Sequence, residues 1–304
     1  MSNPLVSVVI TTKNEELNIS RCLDSIFEQS YKNIEVIVVD NFSSDNTVEI
    51  AKKYTDNVYL FGPERSAQRN YGMISKSTGK YVIYIDADMI LSPSLIMDSS
   101  EFMENNPNIV GLYLGEIILG VRFFSKVRRF EREFYDGTPI DGVRFFKRSC
   151  FVEVGGFDEI TFKYGSGEDW DIGKSLKLKG DIAMLDKFCG SGASDWSWKK
   201  YIEKRGVKYN PRYCGFYHDE SEINLKKYFL KKKYYSTGFL GYKEKWGNDD
   251  DIKCQLGFMS RYFWIFMKNN GWIKLVKNPQ LTVGLYFLRI IVGIAYLKTL
   301  LEMK

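Results

Sequence analysis

At 304 residues, 44% hydrophobic and 27% charged, the chain has room for one large globular domain or one domain with an appendage. Its mean hydropathy of −0.27 argues against a multi-span membrane protein, and five cysteines with no CxxC pair argue against a disulfide framework or a zinc site and for a reducing compartment. The net charge of +5 is uneven: residues 221–304 hold 15 Lys/Arg against 6 Asp/Glu, so a basic tail follows a mildly acidic body and calls for an anionic partner.

In chain order, Leu5–Thr11 reads as a buried strand. No basic segment leads into an apolar one ahead of it, so no secretory signal is expected. Glu15–Gln29 has helical spacing, with Leu17, Cys22, Leu23, Ile26 and Phe27 on one side. Ile34–Val39 is a second buried strand, followed by the turn-rich DNFSSDNT, a short helix over Thr47–Tyr54 and a third strand over Val58–Phe61. A helix over Glu64–Ser77 leads to a fourth strand, Tyr81–Ile85. This alternation predicts an α/β fold with a mostly parallel sheet flanked by helices, whose ligands bind beyond the strands' carboxyl ends. Thr11–Asn14, Asp40–Asp45 and Asp86–Asp88 all fall at such ends.

After Pro107 the pattern loosens. Val110–Ile118, Gly142–Lys147 and Ile182–Leu185 read as strands, and Gly165–Gly180 as a glycine-rich turn followed by a helix. The body is expected over residues 1–218, with a basic, aromatic helical extension over 219–304.

The segment YVIYIDADMI is the most informative. Two carboxylates one residue apart at the end of a buried strand must both be desolvated and repel each other. A divalent cation relieves both costs, and hard oxygen ligands suit Mg²⁺ or Mn²⁺ bridging to phosphate. A strand-end Asp that merely forms a turn is the plainer alternative. The first loop, TTKNEELNI, lacks the GxGxxG that brings a dinucleotide's pyrophosphate to the backbone, and it lacks the Gly/Arg/Lys-rich loop of a sugar-phosphate nucleotidyltransferase.

Five segments stand in order: VSVVITTKNEELNI, IEVIVVDNFSSDNT, ERSAQRNYGMISKSTGKYVIYIDADMI, VGGFDE and GSGEDWDIGKSLKLKG. Together they resemble a family 2 glycosyltransferase of the GT-A fold, over residues 4–185. The resemblance implies a nucleotide-sugar donor, a divalent cation and inversion at the anomeric carbon.

By that resemblance Asp40 would accept from the nucleotide base, typically uracil, while an Asx-turn is the alternative. Thr11 and Glu15 would flank the nucleotide, or cap a helix. Arg69 would approach the diphosphate or base edge, or lie on a solvated face. Asp88 would ligate the metal, and Asp86 would contact the ribose or ligate through water. Asp169 matches the family's general base, with Glu168 beside it; acids that only complement a helix dipole are the alternative. His218, the chain's only histidine, would be a third metal ligand or a diphosphate contact, or simply a polar residue.

In the tail, KKYFLKKKYY interleaves lysine with aromatics, and Leu281–Leu301 is apolar and about long enough to span a bilayer. Arg289 near its middle makes peripheral membrane contact or homo-oligomer packing the expectation rather than a span, and no nucleic-acid partner is expected. The resulting expectation is a metal-dependent inverting glycosyltransferase moving a sugar, UDP-linked, to a hydroxyl of a glycan or lipid-linked acceptor, at the cytoplasmic face of a membrane. The alternatives are transfer to a polyprenyl phosphate and a non-catalytic membrane-associated scaffold of the same fold.

Overall fold

The computed structural model describes residues 3–162, 166–190 and 194–302. Its strands are β1 Val6–Thr12, β2 Ile34–Asp40, β3 Val58–Leu60, β4 Tyr81–Asp86, β5 Met89–Leu91, β6 Ile109–Tyr113, β7 Gly115–Ile118, β8 Val143–Lys147, β9 Asp181–Met184 and β10 Gly215–His218. Seven of them form one sheet in the order β3-β2-β1-β4-β8-β6-β9. Every pairing is parallel except those of β8, which runs against both β4 and β6. The remaining three form a small sheet, β5-β10-β7.

Alternation along the central strands fills two cores, as a sheet covered on both faces requires. Val8, Ile10, Ile83 and Ile85 pack against Ile19, Cys22, Leu23 and Ile26 of the helix Ile19–Phe27 and against Leu95 and Ile96 of the helix Leu95–Asn105. Val9, Ile37, Val82 and Tyr84 face the other way, onto Met73, Phe151, Phe157 and Ile172. The segment expected as one helix over Glu64–Ser77 is an α-helix, Arg65–Asn70, running into a π-turn, Tyr71–Lys76. Glu64 caps it, accepting the Ser66 and Ala67 N–H groups at 2.7 Å each. Gly72 lets this segment lie on the sheet, since a Cβ there would sit 2.4 Å from Val9 Cγ1.

The stretch expected as one strand over Val110–Ile118 is two. The chain leaves the main sheet at Leu114, and β7 joins β10 in the small one. That break matters for the site, because β10 ends on His218.

The helix Pro279–Glu302 packs against Leu225–Trp246 and Phe123–Arg132. Leu285 and Leu288 enter a cluster with Val127, Phe130, Phe134 and Phe266. Arg289, awkward in an apolar stretch, is buried in an ion pair with Glu131. This is the one helix long and apolar enough to cross a bilayer among the described residues, with a hydropathy of 1.6, and 28% of its most apolar window is buried.

Candidate active site

Register brings the three strand ends together. β1 sets Thr12 beside Asp40 of β2 and Thr11 beside Asp86 of β4. Asp40 is fully buried; its Oδ1 accepts the Ser43 N–H at 2.7 Å and its Oδ2 the Thr12 hydroxyl at 2.7 Å. The Asx-turn geometry is therefore present at Asp40; its Oδ2 also accepts the Ser43 hydroxyl, so the lone pair left over is on Oδ1. Thr11 is buried beside it. Glu15 stands over the same mouth: burial raises its pKa, Asn18 Nδ2 donates to it at 2.7 Å, and Asp88 and Asp86 are close enough to push it up further.

Arg69 is the hub of one half of the site. Its guanidinium, 2% exposed, donates to Asp86 Oδ1 at 3.2 Å and to Asp169 Oδ1 at 3.1 Å, and lies 3.6 Å from Glu168 Oε1. The solvated-face alternative for Arg69 is thereby excluded. Arg144 of β8 reaches Asp86 Oδ2 at 3.3 Å, and the Tyr84 hydroxyl donates to Asp169 Oδ1 at 2.7 Å. Both guanidiniums cover the Tyr84 ring, 4.1 and 4.8 Å from its centroid. Burial would raise Asp86, but Arg144 and Arg69 outweigh it and hold the carboxyl well below the usual range. Asp169 is lowered in the same way, with burial overcome by Arg69, Arg144 and Arg65. Glu168 goes the other way: burial raises it against the pull of its partner Arg65.

Glu168 and Asp169 open the helix Glu168–Lys177. Gly167 precedes them with φ +108°, and a Cβ there would meet Phe162 at 2.9 Å. Gly165, the other glycine of the expected turn, lies outside the described residues. The helix is clamped from outside by the extension: Trp246 Nε1 donates to Asp171 Oδ1 at 2.6 Å and Lys245 to Asp171 Oδ2 at 3.0 Å.

Asp88 anchors the other half, on the turn between β4 and β5. Its Oδ2 is 3.2 Å from His218 Nε2, and its Oδ1 is buried with no hydrogen-bond partner among the described residues. His218 Nδ1 is 2.6 Å from Glu116 Oε1, and Glu116 Oε2 pairs with Arg132 at 2.6 Å. Arg132 and His218 hold Glu116 down to about 2 against the effect of burial. An imidazole oriented by one carboxylate, with its other nitrogen against Asp88 Oδ2 while Asp88 Oδ1 goes unused, is a donor set that suits a divalent cation. A cation there would give Asp88 Oδ1 the partner it lacks.

Sequence reasoning missed Arg65, Tyr84, Glu116 and Arg144. Arg144 carried a faint signal, as a charge inside the otherwise apolar strand VRFFK. Trp196 is core, packed with Tyr209 and Tyr217.

The sequence profile of Glycosyl transferase family 2 matches residues 7–157, a stretch that contains Asp40, Arg69, Asp86 and Asp88. An uncharacterized glycosyltransferase of Haemophilus influenzae is 38% identical over 38% of this chain and 38% of its own length. One from Rickettsia typhi is 28% identical over 56% of this chain and 58% of its own. The chain thus spans less than two thirds of either relative. Among solved structures, a mannosyltransferase from Pyrobaculum calidifontis, in complex with GDP-Man and Mn²⁺, superposes with a TM-score of 0.63 at 16% identity, covering 98% of this chain and 88% of its own. Staphylococcus aureus TarS, residues 1–349, reaches 0.50 at 17% identity over 97% and 90%. At such identities the likeness is one of fold: a mostly parallel central sheet flanked by helices, the GT-A arrangement.

Proposed function

Since the chain belongs to glycosyltransferase family 2 through its residues 7–157, we propose that it transfers a sugar from a UDP-linked donor to a hydroxyl acceptor, with inversion and with Mn²⁺ or Mg²⁺ bound. The observation that carries this reading is the orphaned Asp88 Oδ1 beside a carboxylate-oriented His218 Nε2. Asp88 and His218 would hold the cation, with Asp86 reaching it through water or meeting the ribose. The cation, when bound, supplies charge to offset the departing diphosphate. Thr11 and Glu15 would flank the nucleotide, and Asp40 would accept from its base through the Oδ1 lone pair its turn leaves free. Arg69 and Arg144 supply positive charge where the diphosphate develops its own.

Asp169 is the proposed base, with Glu168 beside it. It is ionised at neutral pH, as a base must be, and the arginines that keep it so also weaken its hold on a proton. A donor diphosphate entering the same arginine field offsets that charge and raises the proton affinity of Asp169 when the acceptor needs it. Transfer to a polyprenyl phosphate is the second reading. It is favoured by the low proton affinity of Asp169, because an anionic acceptor needs no strong base.

The extension is proposed to bring the site to a lipid surface on the cytoplasmic side. Val283, Phe287, Ile290, Ile294, Leu297 and Leu301 form an exposed stripe at three- and four-residue spacing. Trp264 and Trp272, both half-exposed, and Lys274 and Lys277 lie beside it in sequence, the mixture of a membrane-interface helix. A second copy of the chain is the competing occupant.

Titration calorimetry with UDP and Mn²⁺ tests the site. Wild type is expected to bind UDP in a metal-dependent way and Asp88→Asn to lose that dependence. Equal, metal-independent affinity in both would overturn the proposal.

A further inference from the structure

Beneath the extension lies a second charged cluster, apart from the carboxylates at the strand ends. Five cations meet there: Arg128 from the helix Phe123–Arg132, Lys231 and Lys232 from Leu225–Trp246, Arg261, and Arg289 from the last helix. Glu131 pairs with both Arg128 and Arg289 and accepts the Tyr135 hydroxyl at 2.8 Å. Lys231 pairs with Glu220 at 3.1 Å. Arg261 and Arg289 both face the Tyr135 ring, at 5.2 and 5.5 Å, and Lys232 lies 5.3 Å from the Tyr228 ring.

Among the described residues, two carboxylates thus serve five cations. Arg289 is 4% exposed, and among the same residues its Nε has no partner; neither has the buried Nη1 of Arg261. The electrostatic consequence divides the five: against burial, Glu131 raises Arg128 and Glu220 raises Lys231, while burial lowers Lys232, Arg261 and Arg289. Burial, then Arg128 and Lys231, bring Lys232 down to about 7, and burial with Arg128 brings Arg289 down to about 9. Arg289 is buried and Arg128, Lys232 and Arg261 are partly so, and a folded protein seldom gathers an excess of partly buried positive charge without a counter-ion. Guanidinium forks with donors to spare are the group of choice for phosphate.

We propose that Arg128, Lys232, Arg261 and Arg289 form a binding site for the phosphate or diphosphate group of the acceptor. Its place fits that use. Arg132, one turn beyond Arg128, supports Glu116 and His218, and Glu220 lies two residues past His218, so the cluster borders the metal side of the candidate active site. On its other flank the last helix carries the exposed apolar stripe, where the hydrocarbon part of a lipid phosphate would lie. Assigning the anion to the acceptor rests on the transferase reading; binding of the anion does not.

The test is direct binding to the full chain without donor, using farnesyl phosphate, farnesol and inorganic diphosphate as probes. Arg261→Gln and Lys232→Gln are the variants, since neither residue makes an ion pair among the described residues, so removing its charge deprives no carboxylate of one. Expected is saturable binding of farnesyl phosphate, at least tenfold tighter than farnesol and weakened at least tenfold in each variant. The thermal midpoint of each ligand-free variant should hold or rise as repulsion is relieved. Inorganic diphosphate binding as tightly as farnesyl phosphate keeps the phosphate site and assigns it to a free anion. Binding that is equal for farnesol and farnesyl phosphate, or unchanged in both variants, overturns the site. UDP calorimetry on the same preparations reports the donor site separately, so failure of one reading is distinguishable from failure of the other.

Discussion

Replacing Arg69 with methionine removes the charge that ties Asp86, at the end of β4, to Asp169, at the start of the helix Glu168–Lys177. Arg69 is 2% exposed and donates to Asp86 and Asp169, whose side chains keep 31% and 32% of their exposure. Removing one partner of a buried ion pair costs about 3–5 kcal/mol, and partial solvation of the two carboxylates places this case near about 3. Loss of the guanidinium over Tyr84, 4.1 Å from the ring centroid, adds roughly 1–2 kcal/mol for a desolvated pair. The expected destabilisation is therefore about 4–5 kcal/mol at pH 7 by urea unfolding. Its pH dependence has a definite sign. Asp86 and Asp169 have folded-state pKa values below their unfolded ones, so their contribution is complete above roughly pH 4–5 and fades as pH falls through the folded values. In the variant the same carboxylates, left buried with less compensation, take up protons sooner and their mutual repulsion ends. The gap between wild type and Arg69→Met should shrink by half or more between pH 7 and pH 4. A gap under about 1 kcal/mol at pH 7, or one that does not change with pH, would refute the argument.

Other outcomes follow from the same geometry. Asp169→Asn should lower turnover about 10²–10⁴-fold with donor affinity nearly unchanged; steady-state kinetics that match wild type would remove it as the base. Gly72→Ala should cost about 1–3 kcal/mol, because its methyl would meet Val9 at 2.4 Å, and a thermal midpoint equal to wild type would contradict that packing. Changing Ile290, Ile294 and Leu297 together to serine should abolish salt-resistant sedimentation with anionic liposomes while leaving UDP binding intact. Undiminished sedimentation would remove the stripe as the membrane contact, and loss of a dimer in light scattering would favour a second copy instead. Removing the whole last helix is a poorer experiment, since it strips Leu285 and Leu288 from the core and takes from Glu131 one of its two arginine partners.

What the sequence disclosed and what it hid divide along the range of the interactions. The turn after YVIYI was legible because a buried strand followed by two acids is a local conflict that chemistry must resolve. Asp40 and Thr11 were legible as ends of a parallel sheet, whose register aligns them without any knowledge of tertiary packing, and Glu15 follows in the loop after β1. Arg69 gave no sign of being buried, since its partner Asp169 is 100 residues distant. His218 could be named only as a lone imidazole; its orientation comes from Glu116, 102 residues away on another strand. The break at Leu114 was hidden because the two strands it separates are both apolar, and periodicity does not reveal a change of sheet. Arg289 read as a misfit in a bilayer-length stretch, and Glu131, which neutralises it, is 158 residues upstream.

Glu131 and Arg132 are consecutive residues, so their Cα atoms stand about 3.8 Å apart on a single stiff rod. One is bolted to the last helix through Arg289; the other braces the imidazole of His218 through Glu116. No loop intervenes to absorb slack. The seating of Pro279–Glu302 and the orientation of His218 are therefore linked by a short chain of ion pairs that meets at one backbone bond. The outer face of the molecule and its candidate chemistry turn on one bearing.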